Sequence, residues 1–110
     1  MMKALHVLPA AQRDIDEIAA WIAVDSESAA RRFLTSVRAT FNDLADWPGL
    51  GAIVELRGRS TNIRRIGVSG FKKYLVYYRV GGSSLTVLRV ASAARERDRV
   101  LRGLVDRDDE

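Results

Sequence analysis

The stretch from Ile63 to Arg97 most constrains how this chain can fold, because it combines strand-forming sequence with a high density of positive charge. Residues 74–80 are rich in β-branched and aromatic side chains, and Gly81-Gly82-Ser83 is expected to supply the positive φ angles that a tight reversal needs before a second such run at residues 85–90. The pattern predicts a β-hairpin. Alternation along the first run predicts one face that packs and a second, mixed face that ends in charge at Arg79.

Two amphipathic helices are predicted before this hairpin. From Ala10 to Val24 apolar residues recur at helical spacing, including Ile15 and Ile22. The polar cluster at residues 25–28 breaks this pattern and offers a cap for a second helix that runs to about Trp47. So short a link predicts a helical hairpin whose apolar stripes face the sheet.

Shorter sequence patterns predict the secondary structure of the other segments. Residues 3–8 predict a strand at the edge or centre of the sheet, residues 53–56 a short strand, and residues 57–60 a mobile basic link. Residues 93–104 predict a short last helix. We therefore expect one α+β domain over residues 1–105, of order β-α-α-β-β-β-(α), in which an antiparallel sheet is packed by the N-terminal helical hairpin. The acidic tail, residues 106–110, is expected to fray.

Composition removes several classes of protein from consideration. The chain has no cysteine and one histidine, His6, so neither a thiolate metal site nor a histidine cage is expected, and we expect no metal or cofactor. The N-terminus has no apolar run of the length of a membrane span and no signal-peptide pattern. These features predict a cytoplasmic protein without a membrane partner.

Charge is distributed unevenly along the chain. Residues 1–55 hold 5 basic and 8 acidic side chains, residues 56–102 hold 12 and 2, and residues 103–110 hold 1 and 4, so the net charges are −3, +10 and −3. A basic region of this size favours an acidic partner such as nucleic acid, the ribosome or an acidic protein segment. Alternatively, the arginines are ordinary surface residues on the solvent-facing sides of strands and have no binding role.

Four stretches together resemble a known family. They are DIDEIAAWIA (residues 14–23), the helix from AARRFL to FNDLA (29–45), PGLG (48–51), and YLVYYRV (74–80) followed by LRVASAAR (88–95). In order and spacing they are similar to the ParE branch of the RelE/ParE superfamily, the toxins of type II toxin–antitoxin operons. The resemblance spans residues 3–98 and implies a toxin that a cognate antitoxin neutralises.

The branch of the superfamily decides the expected target. ParE-like members are understood to poison DNA gyrase without a catalytic centre of their own, whereas RelE-like members are ribosome-dependent endonucleases that cut mRNA. Metal-free RNA cleavage needs a general base, cations for the charge on phosphorus and an acid for the leaving oxygen. RelE-like proteins carry an arginine at the position of Leu75 and a late tyrosine near the position of Leu101. This chain lacks both groups. Gyrase inhibition is therefore favoured, and the mRNA endonuclease and a harmless binding module on the same scaffold stay as alternatives.

Candidate site residues follow from the basic region and the resemblance. Ser92 stands where many ParE-like sequences have histidine, which leaves open whether the toxin is active. No catalytic residue is predicted. Five arginines are predicted to bind the target: Arg64, Arg65, Arg79, Arg89 and Arg95. Four apolar or aromatic residues are predicted to contact an acidic, amphipathic antitoxin segment: Ile15, Trp21, Phe33 and Tyr77.

Overall fold

The computed structural model describes residues 3–93 together with Gly103 and Leu104. Its elements are, in chain order, β1 (Ala4–Val7), α1 (Pro9–Asp25), α2 (Glu27–Asp46), a 3₁₀ turn (Pro48–Leu50), β2 (Ala52–Leu56), β3 (Arg59–Val68), β4 (Phe71–Val80) and β5 (Ser84–Ser92). The α+β class and the β-α-α-β-β-β core of the predicted order are confirmed, with one more strand than expected. Neither described helix is long and apolar enough to cross a lipid bilayer.

Local sequence explains how the helical hairpin forms. Pro9 lies in the first turn of α1, where its missing N–H leaves no hydrogen bond unmade. Ser26 alone separates the helices, and its Oγ accepts a hydrogen bond from the backbone N–H of Ala29 at 3.0 Å. The predicted cap is thus confirmed, and it satisfies one of the backbone donors that begin α2.

The five strands form one sheet of order β1-β5-β4-β3-β2. Strands β2 to β5 are antiparallel neighbours in sequence, as expected, whereas β1 pairs in parallel with β5 at the edge. The sheet is therefore mixed. A parallel pair needs a long crossover, and here the two helices and three strands supply it.

The basic link predicted at residues 57–60 is a tight hairpin turn instead. Arg57 and Gly58 have φ values of 54° and 76°, and Arg59 and Ser60 already belong to β3. Positive φ at both central residues gives a turn whose twist matches that of the flanking strands. The turn fixes β2 against β3.

Each face of the sheet carries its own apolar cluster. On the side covered by α1 and α2, which we call the helix face, the cluster includes Phe33, Leu44, Val76 and Tyr78. On the opposite side, the outer face, a smaller cluster consists of Val54, Ile63, Tyr77, Leu88, Ala91 and Leu104. The mixed face predicted for β4 is thus apolar at its centre.

Most of the predicted C-terminal helix lies outside the described residues, as does the tail at 106–110. Gly103 and Leu104 are helical, and Leu104 is buried against the outer face. The domain extent of 1–105 stays a prediction.

Candidate target-binding face

Two of the predicted arginines lie together on the outer face. Arg65 is directly opposite Tyr77, and Arg79 is directly opposite Ile63. Because Tyr77 and Ile63 belong to the outer cluster, both arginines share its face, as diagonal neighbours with Cα atoms about 7–8 Å apart. We call Arg65 and Arg79 the arginine pair. Because the apolar cluster beside it is buried, the pair offers a partner positive charge rather than apolar surface, which suits an acidic contact.

The other predicted arginines are placed differently. Arg64 lies opposite Tyr78 on the helix face, where its Nη1 donates to the carbonyl oxygen of Gly51 at 2.7 Å. The guanidinium of Arg89 binds both carboxylate oxygens of Asp14, with Nε–Oδ2 2.7 Å and Nη2–Oδ1 2.9 Å. Arg95 lies outside the described residues. The described arginines therefore do not form a single patch.

Asp14 is the structural partner that sequence reasoning missed. Strand β1 ends opposite Val87, and beyond that point Asp14 of α1 accepts a hydrogen bond from the N–H of Val90 at 3.0 Å. The same carboxylate holds Arg89, so it ties the exposed edge of β5 to α1. A groove of about 220 Å³ runs beside it, lined by Glu17, Tyr74 and Ser92 among others. The contact spans 75 positions of the chain, and no local pattern indicates it.

We expect Asp14→Asn to destabilise the fold by about 1–3 kcal/mol, because an amide offers Arg89 and Val90 one neutral acceptor in place of a bidentate carboxylate. Urea unfolding of the purified protein measures this. Asp16→Asn is the matched control, since Asp16 is exposed and, among the described residues, accepts a side-chain hydrogen bond from Gln12 alone. It should change stability by less than about 0.5 kcal/mol. Equal effects of the two substitutions would contradict the role given to Asp14.

Sheet register brings His6 onto the outer face. Leu5 and Val7 pack toward the helix face, so His6 between them points to the other side. His6 is paired with Thr86, and Thr86 is paired with Arg79, so the three form one row across β1, β5 and β4. Two strand spacings separate the Cα atoms of His6 and Arg79 by about 10 Å. In the sequence, His6 lies far from the basic region at residues 56–102.

The three tyrosines of the chain are all buried. The hydroxyl of Tyr78 accepts from the N–H of Gly51 at 2.7 Å and donates to the carbonyl oxygen of Pro48 at 2.8 Å. Burial raises the pKa of Tyr78, and the hydrogen bond from Gly51 and the charge of Arg64 oppose that shift. Tyr78 therefore fixes the turn between α2 and β2 as a neutral hydroxyl.

The four residues predicted to contact the antitoxin differ in how far their side chains are exposed to solvent. Ile15, Phe33 and Tyr77 are core side chains with 3% exposure or less, so the core occupies them and a partner cannot reach them in this fold. Trp21 is 74% exposed and stays available. Because they are apolar, all four side chains were predicted to form a contact surface, but three of them lie in the core.

Other exposed apolar side chains were not predicted for this role. Val24 of α1 is 80% exposed, and a second group follows α2: Trp47, Leu50 and Ile53. Of these, Ile53 lies on β2 and Leu50 ends the 3₁₀ turn. These exposed side chains, close together in the chain, are further candidates for contact with a partner.

Metal ligands are not brought together in the part of the chain that the structure describes, where no three His, Asp or Glu side chains form a group that could hold an ion. The arrangement offers guanidinium groups, apolar surface and one imidazole. It can bind an acidic partner.

The chain is similar to known proteins in family, sequence and fold. A family model described as the ParE toxin of the type II toxin–antitoxin system parDE matches residues 5–97. A protein named Toxin RelE3 from Caulobacter vibrioides is 29% identical over 97 residues, which cover 87% of this chain and all of that protein. A solved structure of a chromosomal ParDE TA system from P. aeruginosa superposes with a TM-score of 0.66 at 18% identity, covering 83% of this chain and 96% of that chain. The last likeness concerns the fold.

Proposed function

This chain belongs to the ParE toxin family of type II toxin–antitoxin systems, and on that premise we propose that it inhibits DNA gyrase and is neutralised by a cognate antitoxin. The outer face, with the arginine pair beside the apolar cluster, is the proposed gyrase contact. Acidic side chains of a protein target can pair with both guanidinium groups of this face.

The observation that carries the proposal is the burial of the tyrosines in the part of the sheet that the structure describes. All three tyrosines are buried, and the hydroxyl of Tyr78 is engaged at Gly51 and Pro48. Leu75, which stands where a RelE-like nuclease has an arginine, packs against the outer cluster. Arginine itself is a poor general base because its pKa is so high. These features favour inhibition by binding over cleavage.

Ribosome-dependent cleavage of mRNA is the second candidate, and the row of His6, Thr86 and Arg79 favours it. An exposed imidazole can accept a proton from a hydroxyl group, and a guanidinium two strands away can bind phosphate. The relative named Toxin RelE3 is consistent with this branch. The two candidates use the same face of the sheet but different residues.

We expect the purified protein to block supercoiling of relaxed plasmid by gyrase and ATP, and to leave linear DNA after detergent and protease. The double variant Arg65→Gln/Arg79→Gln should need at least about tenfold more protein for the same inhibition, since a desolvated charge pair contributes about 1.4 kcal/mol or more. Arg31→Gln/Arg32→Gln is the matched control. It removes two exposed charges from α2 and should act like the unchanged protein.

Other outcomes separate the candidates. A folded protein that leaves gyrase active contradicts the gyrase proposal, and it should then enter a translating extract. Cut mRNA there, lost in His6→Gln, would establish the second candidate. Equal loss of gyrase inhibition in both double variants would show that net charge matters rather than the outer face.

A further inference from the structure

The outer face of the sheet carries positive charge beyond the arginine pair. Arg59 is exposed and lies directly opposite Leu56, which packs against the outer cluster, so the two share this face. Gly67 is opposite Leu75 of the same face, and a Cβ on Gly67 would meet the side chain of Lys72 at 3.3 Å. The exposed Lys72 side chain therefore covers the outer face at this point. We call four side chains the basic strip: Arg59, Arg65, Lys72 and Arg79.

Three charges of the basic strip are regularly spaced along the strands. On β3, Arg65 lies midway between Ile63 and Gly67. Arg79 is paired with the first of these, and Lys72 lies beside the second. Each step of two residues corresponds to about 7 Å, so the three charges extend over about 13 Å. One strand of DNA carries a phosphate for about every 3.4 Å of helix axis, so such a row faces about four successive phosphates.

Negative charge is kept on the other side of the sheet in the part of the chain that the structure describes. Helices α1 and α2 hold seven of its eight acidic residues and four arginines, a net charge of −3. The eighth is Glu55, which lies between Val54 and Leu56 of the outer face and so points to the helix face. The domain is therefore polarised, and its positive side attracts a polyanion.

Exposed aromatic side chains are absent from the described part of the outer face. Trp21 lies on α1, Trp47 follows α2, and Tyr77 of the outer face is fully buried. Proteins that bind single strands stack the bases on exposed aromatic rings. Without such rings, contact is limited to phosphates, which a duplex presents at about twice the density of a single strand.

We propose that the basic strip binds the phosphate backbone of duplex DNA without reading its base sequence. The inference goes beyond the proposed gyrase contact, since it gives the outer face a ligand that binds in the absence of gyrase. The choice of DNA over duplex RNA rests on the proposed function, because gyrase acts on DNA and the toxin meets that backbone at its target.

The first measurement is the fluorescence anisotropy of a labelled DNA duplex of about 20 base pairs, titrated with the purified full chain at about 50 mM salt. We expect log K to fall with log salt at a slope of about −3 to −4, because three or four phosphate contacts contribute about −0.9 each. A duplex of unrelated sequence should bind within about twofold. A single DNA strand and an RNA duplex of the same length should bind at least about fivefold less tightly.

The double variant Arg59→Gln/Lys72→Gln locates the contact without changing the arginine pair. It should weaken duplex binding at least about tenfold and reduce the salt slope by about 2, since two phosphate contacts are lost. Arg31→Gln/Arg32→Gln removes the same charge from α2 and should change the affinity less than about threefold. Arg59→Lys/Lys72→Arg keeps both charges and should bind like the unchanged protein.

Circular dichroism checks that these variants fold. If Arg59→Gln/Lys72→Gln does not, acetylation of the unmodified protein decides, since bound duplex should shield the Lys72 amine at least about fivefold.

The outcomes are distinct. Failure to bind the duplex at low salt, or tighter binding of the single strand or the RNA duplex, overturns the inference. Equal loss in the two glutamine variants also overturns it, because net charge would then matter rather than the outer face. A protein that inhibits gyrase but does not bind DNA contradicts this inference alone, whereas one that binds DNA and leaves gyrase active contradicts the gyrase proposal alone.

Discussion

Replacing Phe33 by alanine is expected to lower the free energy of unfolding by about 3–5 kcal/mol. Phe33 is fully buried between α2 and the sheet, and its ring meets Phe71 and Tyr74 edge-on, with centroids 5.5 and 5.4 Å away. Alanine would leave a cavity and remove both aromatic contacts. Since a domain of this size is stable by about 5–15 kcal/mol, the variant should be close to unfolding at 37 °C.

Urea denaturation followed by circular dichroism measures the effect, and Leu34→Ala provides the control. Leu34 is the next residue of α2 but is 36% exposed, so its truncation should cost less than about 1 kcal/mol. The pair also tests the role that sequence gave to Phe33. If the variant kept full stability but lost only antitoxin affinity, Phe33 would be a contact residue and its burial in this fold would be contradicted.

A methyl group added at Gly51 should also be costly. The Cβ of Gly51→Ala would lie 2.6 Å from the Tyr78 hydroxyl oxygen, 2.7 Å from its ring and 2.9 Å from the backbone oxygen of Arg65. Neither the buried ring nor the sheet backbone can move freely, so we expect a loss of about 1–3 kcal/mol, with the Tyr78 hydrogen bond to Gly51 disrupted.

Gly49→Ala separates this crowding from the general effect of replacing glycine. Gly49 lies two residues earlier in the 3₁₀ turn, and a Cβ there meets nothing within 4 Å. It should change stability by less than about 0.5 kcal/mol in the same urea titration. Equal behaviour of the two variants would show that the turn yields to the added methyl group and that Tyr78 does not hold it rigidly.

The helical hairpin illustrates what local patterns predict well. The spacing of Ile15 and Ile22 and the break at Ser26 predict two helices, and the structure ends them within about two residues of the expected positions. The hairpin of β4 and β5 follows in the same way from its strand-forming runs. The positive φ angles expected at Gly81-Gly82-Ser83 are wrong, since none of the three residues has one. These signals act over a few residues, so the sequence carries them directly.

Alternation alone does not describe β5, because the strand contains a bulge. Tyr77 pairs with Arg89 but Tyr78 pairs with Val87, so Leu88 is an extra residue on β5. Beyond it the alternation changes, and Val90 packs on the helix face while Ala91 joins the outer cluster. A period-two count along the chain cannot detect this shift, since it depends on pairing with β4.

Chain composition and local periodicity determined the α+β class, the helical hairpin and the basic character of the second half. Tertiary structure alone decided that β1 lies parallel to β5, that Asp14 binds Arg89, and that Arg65 and Arg79 share a face with His6 while Arg64 does not. It also decided that Phe33 and Tyr77 belong to the core. The physical reason is that helices and turns form from neighbouring residues, whereas strand register, burial and ion pairs join residues far apart in the chain.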